Sequence, residues 1–264
     1  MKRFILFFSL LALSLSIMAQ PGPYAVVSYF KVDPGKATAY VKMEKELWKP
    51  IHQARLKAGE ILGWYCFGVD FAGSGSEYNY VTVTVVENLA KMDNVDFQKW
   101  FKTVHPKRPI EEITKTTTDA RVMVRSELIR RVGAAVPAKA PEKRAPMISV
   151  SFFNALPGKE EAYSKLVSDV FMPVSKAMVE ADPAADFGFW EVWLPNGSSA
   201  TYNYVGEGAL PSYASMSDEE GGKKYDEVFK KVHPHLDQKQ MREMLTSMRT
   251  RVKQEIWWTE DFVE

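Results

Sequence analysis

Residues 29–36 read YFKVDPGK, and residues 152–159 read FFNALPGK. In both copies a β-prone, apolar run ends at Pro-Gly, which is a strong turn signal. The motif YNYV occurs at 78–81 and 202–205, and VHP occurs at 104–106 and 232–234. Matching positions are offset by 123 to 128 residues throughout, so the chain of 264 residues contains two copies of one unit.

Each copy has the sequence periodicities of a small α+β unit. Apolar residues recur every three or four positions over residues 36–58, which predicts a long helix after the first strand. Strands are predicted at 25–32, 62–71, 78–86 and 121–129, and in the second copy at 187–194, 201–205 and 249–258. With further helix before the last strand, the order is βαββαβ, that of a ferredoxin-like unit. Such a sheet has one face covered by helices and one bare face.

Both long helices are predicted to contain an interior proline, Pro50 or Pro173. Proline has no amide hydrogen to donate, and inside a helix it typically costs about 3 kcal/mol. Because both copies accept this residue at the same position, we expect a kink or a break that bends the helix around the sheet.

The chain divides into four predicted segments. Residues 1–19 combine Lys2 and Arg3 with an apolar run without charge and a small residue, Ala19, which is the pattern of a cleaved signal peptide. The first unit is predicted at 20–131, a linker rich in Ala, Pro and Lys at 132–146, and the second unit at 147–264. We therefore expect an exported protein, periplasmic or extracellular, with no membrane span after the signal is removed.

Composition and missing motifs argue against several classes of function. Removal of residues 1–19 leaves 32 basic against 33 acidic side chains and no basic block, so nucleic acid is not an expected partner. The single cysteine, Cys66, cannot form an internal disulfide and is interpreted as part of the core. The sequence has no glycine-rich phosphate loop, no serine nucleophile motif and no Cys/His set with metal-ligand spacing, so no metal site is predicted.

The tandem copies, their strand order and their aromatic-rich strands resemble the dimeric α/β-barrel superfamily. That superfamily includes antibiotic-biosynthesis monooxygenase-like and NIPSNAP-like domains. The resemblance covers residues 24–260 and implies two tandem ferredoxin-like units that close into a pseudo-dimeric α/β barrel within one chain. Its members include cofactor-free oxygenases, haem-dependent enzymes and proteins with no known reaction, so the fold does not define an activity. No cofactor is predicted here, and haem is the lesser alternative.

One polar cluster lies on the first predicted helix. Trp48, His52 and Arg55 are spaced by four and three residues, so they share one helical face. His52 is a candidate acid or base, and Arg55 is a candidate anion or oxyanion partner. The fold is expected to bring strand aromatics around them, namely Trp64, Tyr65, Tyr78 and Tyr80. The alternative is a solvated helix flank.

The second copy has different residues at these helix positions, namely Phe171, Ser175 and Met178. A site built on His52 would therefore exist once per chain. In contrast, His105 and His233 occur in both copies and are a second candidate pair. They are predicted either to bind a ligand or to end a helix, since a histidine favours the negative helix terminus and the proline that follows stops the helix.

Together these patterns favour a protein that binds a small apolar or aromatic ligand between helix and sheet of the first unit. Predicted ligand-binding residues are Trp48, Trp64, Tyr78, Tyr80, His105 and His233. The first alternative is a cofactor-free monooxygenase-like or isomerase-like enzyme, with His52 and Arg55 as catalytic residues. The second alternative is a structural or partner-binding module without a ligand. The oligomeric state is left open between a monomer and further self-association.

Overall fold

The computed structural model describes residues 22–139, 144–182, 184–197 and 200–264. The predicted signal peptide at 1–19 lies outside these residues. Eight strands are found in the described part: β1 (Tyr24–Lys31), β2 (Gly63–Val69), β3 (Tyr80–Val86), β4 (Val122–Ala135), β5 (Met147–Ala155), β6 (Phe187–Leu194), β7 (Tyr204–Leu210) and β8 (Arg249–Val263).

Four α-helices accompany the strands of each unit. In the first unit they are α1 (Ala37–Met43), α2 (Lys49–Lys57), α3 (Phe97–Val104) and α4 (Ile110–Ala120). In the second unit they are α5 (Glu160–Leu166), α6 (Met172–Ala181), α7 (Glu219–Val232) and α8 (Gln238–Met248). A π-helical turn joins α1 to α2 at Glu44–Trp48, and another joins α5 to α6 at Val167–Phe171.

The strands form one closed antiparallel barrel in the order β4-β1-β3-β2-β8-β5-β7-β6. Within each unit the last strand lies beside the first, which is the ferredoxin-like order. Two antiparallel seams close the barrel between the units, β2 with β8 and β4 with β6. The predicted closure of two ferredoxin-like units into one α/β barrel is confirmed.

The strand β4 is shared between the two sheets and is longer than predicted. Its residues 122–130 pair with β1, and its residues 128–135 pair with β6. The stretch predicted to begin the linker at 132 therefore starts as strand, because the seam pairs backbone that would otherwise be an open edge. Gly133 lies where α6 crosses this strand: a Cβ there would be 2.8 Å from Sδ of Met172.

The strand β7 lies later in the chain than the predicted strand at 201–205. Gly206 and Gly208 weaken the β signal of its second half, which is why the sequence did not mark it. Asn203 precedes the strand, and its Oδ1 accepts a hydrogen bond from the amide of Ala155 at 2.8 Å. Asn79 makes the equivalent bond to the amide of Val32 at 2.9 Å. The asparagine of the repeated YNYV motif thus holds the backbone at the end of the neighbouring strand by a hydrogen bond in both units.

Each long helix changes its hydrogen-bond register once. In the first unit the amide of Lys49 donates to the carbonyl of Glu44, five positions back, and the second unit repeats this at 167–172. The wide turn comes directly before Pro50 or Pro173, which then lies in the first turn of the next α-helix, where a missing amide hydrogen is tolerated. The predicted kink or break is therefore a π-helical turn inside a continuous helix.

The two bare sheet faces meet inside the barrel, and a polar network closes one end. The hydroxyl of Tyr29 donates to the carboxylate of Glu127 at 2.9 Å, and the hydroxyl of Tyr202 donates to the same group. A second bond joins the two units: the hydroxyl of Tyr78 in the first unit donates to Glu255 of the second at 2.8 Å. These bonds compensate the burial of the two carboxylates, which would otherwise be costly.

Candidate functional site

In the first unit the space around His52, between α2 and the sheet, is filled by side chains. The ring of His52 stacks on Trp64, with centroids 4.8 Å apart and an angle of 10°, and lies 6.1 Å from the ring of Trp48. Trp64 is 1% exposed and His52 is 5% exposed. The predicted cluster exists, but two indoles and an imidazole occupy the volume that a ligand would need. The pocket expected in the first unit is therefore closed by the very residues that were predicted to line it.

His52 is held in a neutral, packed environment. Nη1 of Arg55 lies 3.5 Å from Nδ1 of His52, and Nε of Arg55 donates to Glu60 at 3.3 Å. Burial, followed by the positive charges of Arg55 and Arg121, lowers the pKa of His52 from 6.5 to about 3. The imidazole is therefore uncharged near neutral pH and faces other side chains. The catalytic roles of His52 and Arg55 stay predictions without a cavity beside them.

The strand aromatics divide between the two faces of the sheet, because successive residues in a strand point to opposite sides. Trp64 and Tyr80 face the helices, where the ring of Tyr80 lies 4.6 Å from that of Tyr40. Tyr65 and Tyr78 face the barrel interior. Of the four aromatics expected around His52, Trp64 joins the stack and the other three do not.

The repeated histidines lie at the ends of helices α3 and α7. Nε2 of His105 donates to the carbonyl of Leu47, and Nε2 of His233 donates to the carbonyl of Val170, each at 2.9 Å. Both carbonyls belong to the π-helical turns, so each histidine ties a helix end to the same irregular point of the long helix. This geometry favours the helix-stop interpretation over ligand binding.

The second unit is open at the place where the first is filled. The stack positions are occupied there by the smaller set Phe171, Ser175 and Phe187, since Phe187 pairs with Gly208 as Trp64 pairs with Thr84. A groove of about 340 Å³ lies between α5, α6 and the outer face of the sheet. Its other walls include Ser149, Ser151, Phe153, Tyr163, Val167, Met172 and Arg249. At the position that the His52 stack fills in the first unit, the second unit therefore has an open pocket, because the side chains there are smaller. We call it the outer groove.

An ion pair in the first unit shows what the outer groove lacks. The guanidinium of Arg121 lies over the ring of Phe30, 3.9 Å from its centroid. Its Nη1 donates to the carboxylate of Glu44, which is 2% exposed. A pair buried this deeply satisfies both charges, and removal of one partner typically costs about 3–5 kcal/mol.

Arg249 is the counterpart of Arg121 and keeps the same aromatic surroundings. Its guanidinium carbon lies 3.6 Å from the ring centroid of Phe153 and 5.2 Å from that of Tyr163. Val167 stands at the position of Glu44. Among the described residues, Nη1 of Arg249 is buried and has no hydrogen-bond partner. Burial lowers the pKa of Arg249, yet a guanidinium stays charged near neutral pH, so a positive charge lines the groove without a carboxylate.

Arg249 and Val167 were not among the residues predicted from the sequence. The signal that points to them is an asymmetry of the repeat: an arginine occurs in both copies, whereas its acidic partner occurs in one. That signal has meaning only once the partner is known, since Glu44 and Arg121 are 77 positions apart in the chain.

The described residues do not suit a haem iron. Neither the outer groove nor the barrel interior is lined by a histidine or a cysteine in the part of the chain that the structure describes. The imidazoles of His105 and His233 already bond to backbone carbonyls, and that of His52 is enclosed. Within the described ranges, no group of three or more His, Cys, Asp or Glu residues is placed to hold a metal ion. We therefore assign no residue a role as an axial ligand.

Comparison with known proteins identifies the fold. No protein-family model matches the chain, and no curated protein matches it in sequence. Among solved structures, a "putative monooxygenase" from Lactobacillus acidophilus NCFM aligns at 11% identity with a TM-score of 0.55, over 92% of this chain and 96% of that one. A protein of the same description from Fusobacterium nucleatum also gives 11% identity and a TM-score of 0.55, over 92% of this chain and 94% of that one. The chain has the dimeric α/β-barrel fold.

The resemblance seen in the sequence is thereby confirmed at the level of the fold. A structure described as a "putative chlorite dismutase" shows 8% identity and a TM-score of 0.48, over 91% of this chain and 96% of that one. Dimeric α/β-barrel proteins differ widely in activity, and identities this low do not carry a reaction from one to another. Function therefore has to be argued from the outer groove itself.

Proposed function

We propose that this protein binds small monocarboxylates with an apolar or aromatic body in the outer groove. The observation that supports the proposal is the buried Nη1 of Arg249, which has no hydrogen-bond partner among the described residues. In this arrangement the ligand carboxylate takes the place that Glu44 holds in the first unit. The apolar body then lies along Phe171 and Met172.

The energetics of the unsatisfied Nη1 donor of Arg249 favour an anionic ligand, although the same guanidinium has a side-chain hydrogen bond with Tyr163. A buried donor without an acceptor costs about 1–3 kcal/mol, and a hydrogen bond to a charged group contributes about 1.5–3 kcal/mol. Arginine and carboxylate also match in geometry, since two parallel N–H donors face two oxygens. The hydroxyls of Ser149, Ser151 and Ser175 add donors along the groove, and the aromatic walls supply apolar contact. A neutral ligand of the same shape would leave the charge of Arg249 uncompensated.

A cofactor-free monooxygenase-like or isomerase-like enzyme is the second candidate. It is favoured by the same charge, because a guanidinium in an apolar site can stabilise an oxyanion that develops on a bound substrate. In that case Arg249 takes the role that the sequence suggested for Arg55. Oxygen consumption in the presence of bound carboxylate would reveal a monooxygenase, and conversion of the carboxylate to an isomer, followed by NMR, would reveal an isomerase; neither occurs in simple binding.

The proposal is tested by calorimetric titration with phenylbutyrate. Arg249→Met should weaken binding by about 30-fold or more, because removal of one partner of a buried charge pair costs about 2–5 kcal/mol. Arg251→Met is the matched control: it removes an exposed arginine on the same strand and should leave the affinity unchanged. The neutral amide, phenylbutyramide, should bind at least about tenfold more weakly than the acid.

The shape of the groove is tested separately by Ser175→His, which introduces the first-unit residue without removing Arg249. We expect this variant to lose phenylbutyrate binding because the imidazole fills the groove as His52 does in the first unit. Equal affinity for the acid and the amide would contradict the role of Arg249. If the unaltered protein binds neither compound, the ligand hypothesis fails and a structural or partner-binding module remains.

We also propose that the protein is exported, on the basis of the signal-peptide pattern at 1–19. No helix in the described ranges is long and apolar enough to cross a bilayer. Mass analysis of the protein recovered from its native cell should give a mature N-terminus near Gln20. An intact N-terminus in the cytoplasmic fraction would contradict export.

A further inference from the structure

The barrel interior contains a second cavity, on the other side of the sheet from the outer groove; the two share wall residues of β6 and β7, namely Phe187, Gly188, Glu207 and Ala209. It has a volume of about 440 Å³ and opens at the end where β4 and β8 finish, opposite the end closed by the tyrosine network. Its walls are mostly apolar and aromatic, with Val27, Phe67, Ile129, Val150, Trp190 and Trp257 among them. The side chains of this cavity point inward from the sheet, whereas those of the outer groove lie on the helix side.

One carboxyl group is set into this apolar wall. Glu207 lies on β7, and Nε1 of Trp190 donates to its Oε1 at 2.8 Å. It faces Gly188 across the strand pair, where a Cβ would come within 2.9 Å of Nε1 of Trp190 and 3.0 Å of Cδ of Glu207. Because Gly188 has no Cβ, the carboxyl group of Glu207 can occupy this space. The first unit has Val83 at the position of Glu207, so this group is a feature of the second unit alone.

The surroundings of Glu207 favour its protonated form. Burial raises the pKa of Glu207, and the nearby carboxylate of Asp186 raises it further, while the Trp190 hydrogen bond and Arg131 partly offset the effect. A protonated carboxyl is a hydrogen-bond donor. In that form Glu207 presents an O–H group to a cavity whose other walls offer mainly apolar contact.

The charge and size of the cavity define its occupant. Besides Glu207, the described wall has the carboxyl groups of Glu127, Asp186 and Glu264 and the guanidinium groups of Arg131 and Arg144. The wall therefore has no excess of positive charge to hold a ligand carboxylate, so an uncharged ligand fits better. An apolar cavity of about 150 Å³ holds one benzene ring. A space of about 440 Å³ is therefore suited to a molecule of two or three rings.

We infer that the barrel interior is a second binding site, for an uncharged aromatic molecule of two or three rings with an oxygen that accepts a hydrogen bond from Glu207. Aromatic ketones are the simplest compounds of this class. The site does not depend on Arg249, so it stands or falls independently of carboxylate binding in the outer groove. The two sites have opposite preferences, an anion outside and a neutral molecule inside.

The inference is tested with Prodan, a naphthyl ketone whose fluorescence shifts to the blue and intensifies in apolar surroundings. The unaltered protein should give a saturable blue shift. Glu207→Leu should weaken Prodan binding at least about tenfold, because it removes the donor, whereas Glu207→Gln keeps a donor and should stay within about threefold. Ala209→Phe and Ala134→Phe each place a ring in the cavity and should abolish the shift.

Two controls separate this site from the outer groove. Arg249→Met should leave Prodan binding unchanged, and excess phenylbutyrate should not displace Prodan. Equilibrium unfolding in urea identifies which of the cavity-filling variants, Ala209→Phe or Ala134→Phe, is folded. Prodan binding by that variant is then compared with binding by the unaltered protein. Unchanged Prodan binding in a folded filling variant, or equal affinity of Glu207→Leu and the unaltered protein, would overturn the inference.

Discussion

Replacing Val167 with glutamate would place a carboxylate opposite Arg249, as Glu44 stands opposite Arg121. Both positions begin a π-helical turn, and both arginines lie over an equivalent phenylalanine. The new carboxylate should accept a hydrogen bond from the Nη1 that is otherwise unpaired. This substitution would rebuild in the second unit an ion pair that the first unit already contains.

The expected size of the effect follows from the groups involved. A charge-assisted hydrogen bond contributes about 1.5–3 kcal/mol, and relief of an unsatisfied donor contributes about 1–3 kcal/mol. Loss of the buried valine side chain costs about 1.5–3 kcal/mol, and the new carboxylate must also be desolvated. We expect a net gain of about 1–2 kcal/mol in the free energy of unfolding, which raises Tm by about 2–4 °C per kcal/mol in a protein of this size class. Phenylbutyrate binding should be lost, because its partner is already paired.

Thermal unfolding and calorimetric titration measure the two effects. Val167→Gln is the matched control, because it has a similar shape and no charge, and it should lower Tm. Glu44→Val is the mirror experiment: it leaves Arg121 unpaired and should cost about 3–5 kcal/mol. If Val167→Glu lowers Tm as much as Val167→Gln, an added carboxylate does not stabilise the guanidinium of Arg249. Retained phenylbutyrate binding by Val167→Glu would likewise refute the reasoning.

Other predictions concern His52 and Gly188, which lies opposite Glu207 on the neighbouring strand. The folded-state pKa of His52 is about 3 against an ordinary 6.5, so the stability it provides is complete above about pH 6.5 and is lost as the pH falls toward 3. Between these limits His52→Phe should flatten the pH dependence of unfolding by up to about 1.4 kcal/mol per pH unit, measured in urea, and an unchanged slope would argue against a neutral buried imidazole. Gly188→Ala should cost about 1–3 kcal/mol, because its methyl group meets Glu207 and Trp190, whereas Gly35→Ala meets nothing within 4 Å and should be tolerated. Equal Tm values for the two glycine variants would show that Glu207 moves aside freely.

The repeat predicted two βαββαβ units, each with one bare sheet face that can be buried against the other. The resemblance to the dimeric α/β-barrel superfamily implied that the two sheets close into one barrel. The sequence could not show that β4 continues past residue 131, since that extension depends on pairing with β6, a strand of the other unit. The continuation of β7 to Leu210 was missed because Gly206 and Gly208 lack the side chains that mark a strand.

The site was harder to predict than the fold, because large side chains can line a pocket or fill it. Trp48, His52 and Trp64 attracted attention through their chemistry, and the sequence placed His52 and Trp64 correctly side by side. Whether space remained between them depends on packing in three dimensions. The open groove lies instead where Ser175 and Phe187 have less volume than His52 and Trp64, and smaller residues give no distinctive sequence signal.

The difference between His52 and Ser175 also has a consequence for how such a protein can evolve. In a symmetric homodimer one substitution alters both halves at once, so a residue that fills one groove fills its twin. In a duplicated chain the two halves are encoded separately, so each can be substituted without changing the other. One half can have its groove filled by side chains while the other keeps an open groove. Substitutions that adapt the ligand site then leave the packing of the other half unchanged.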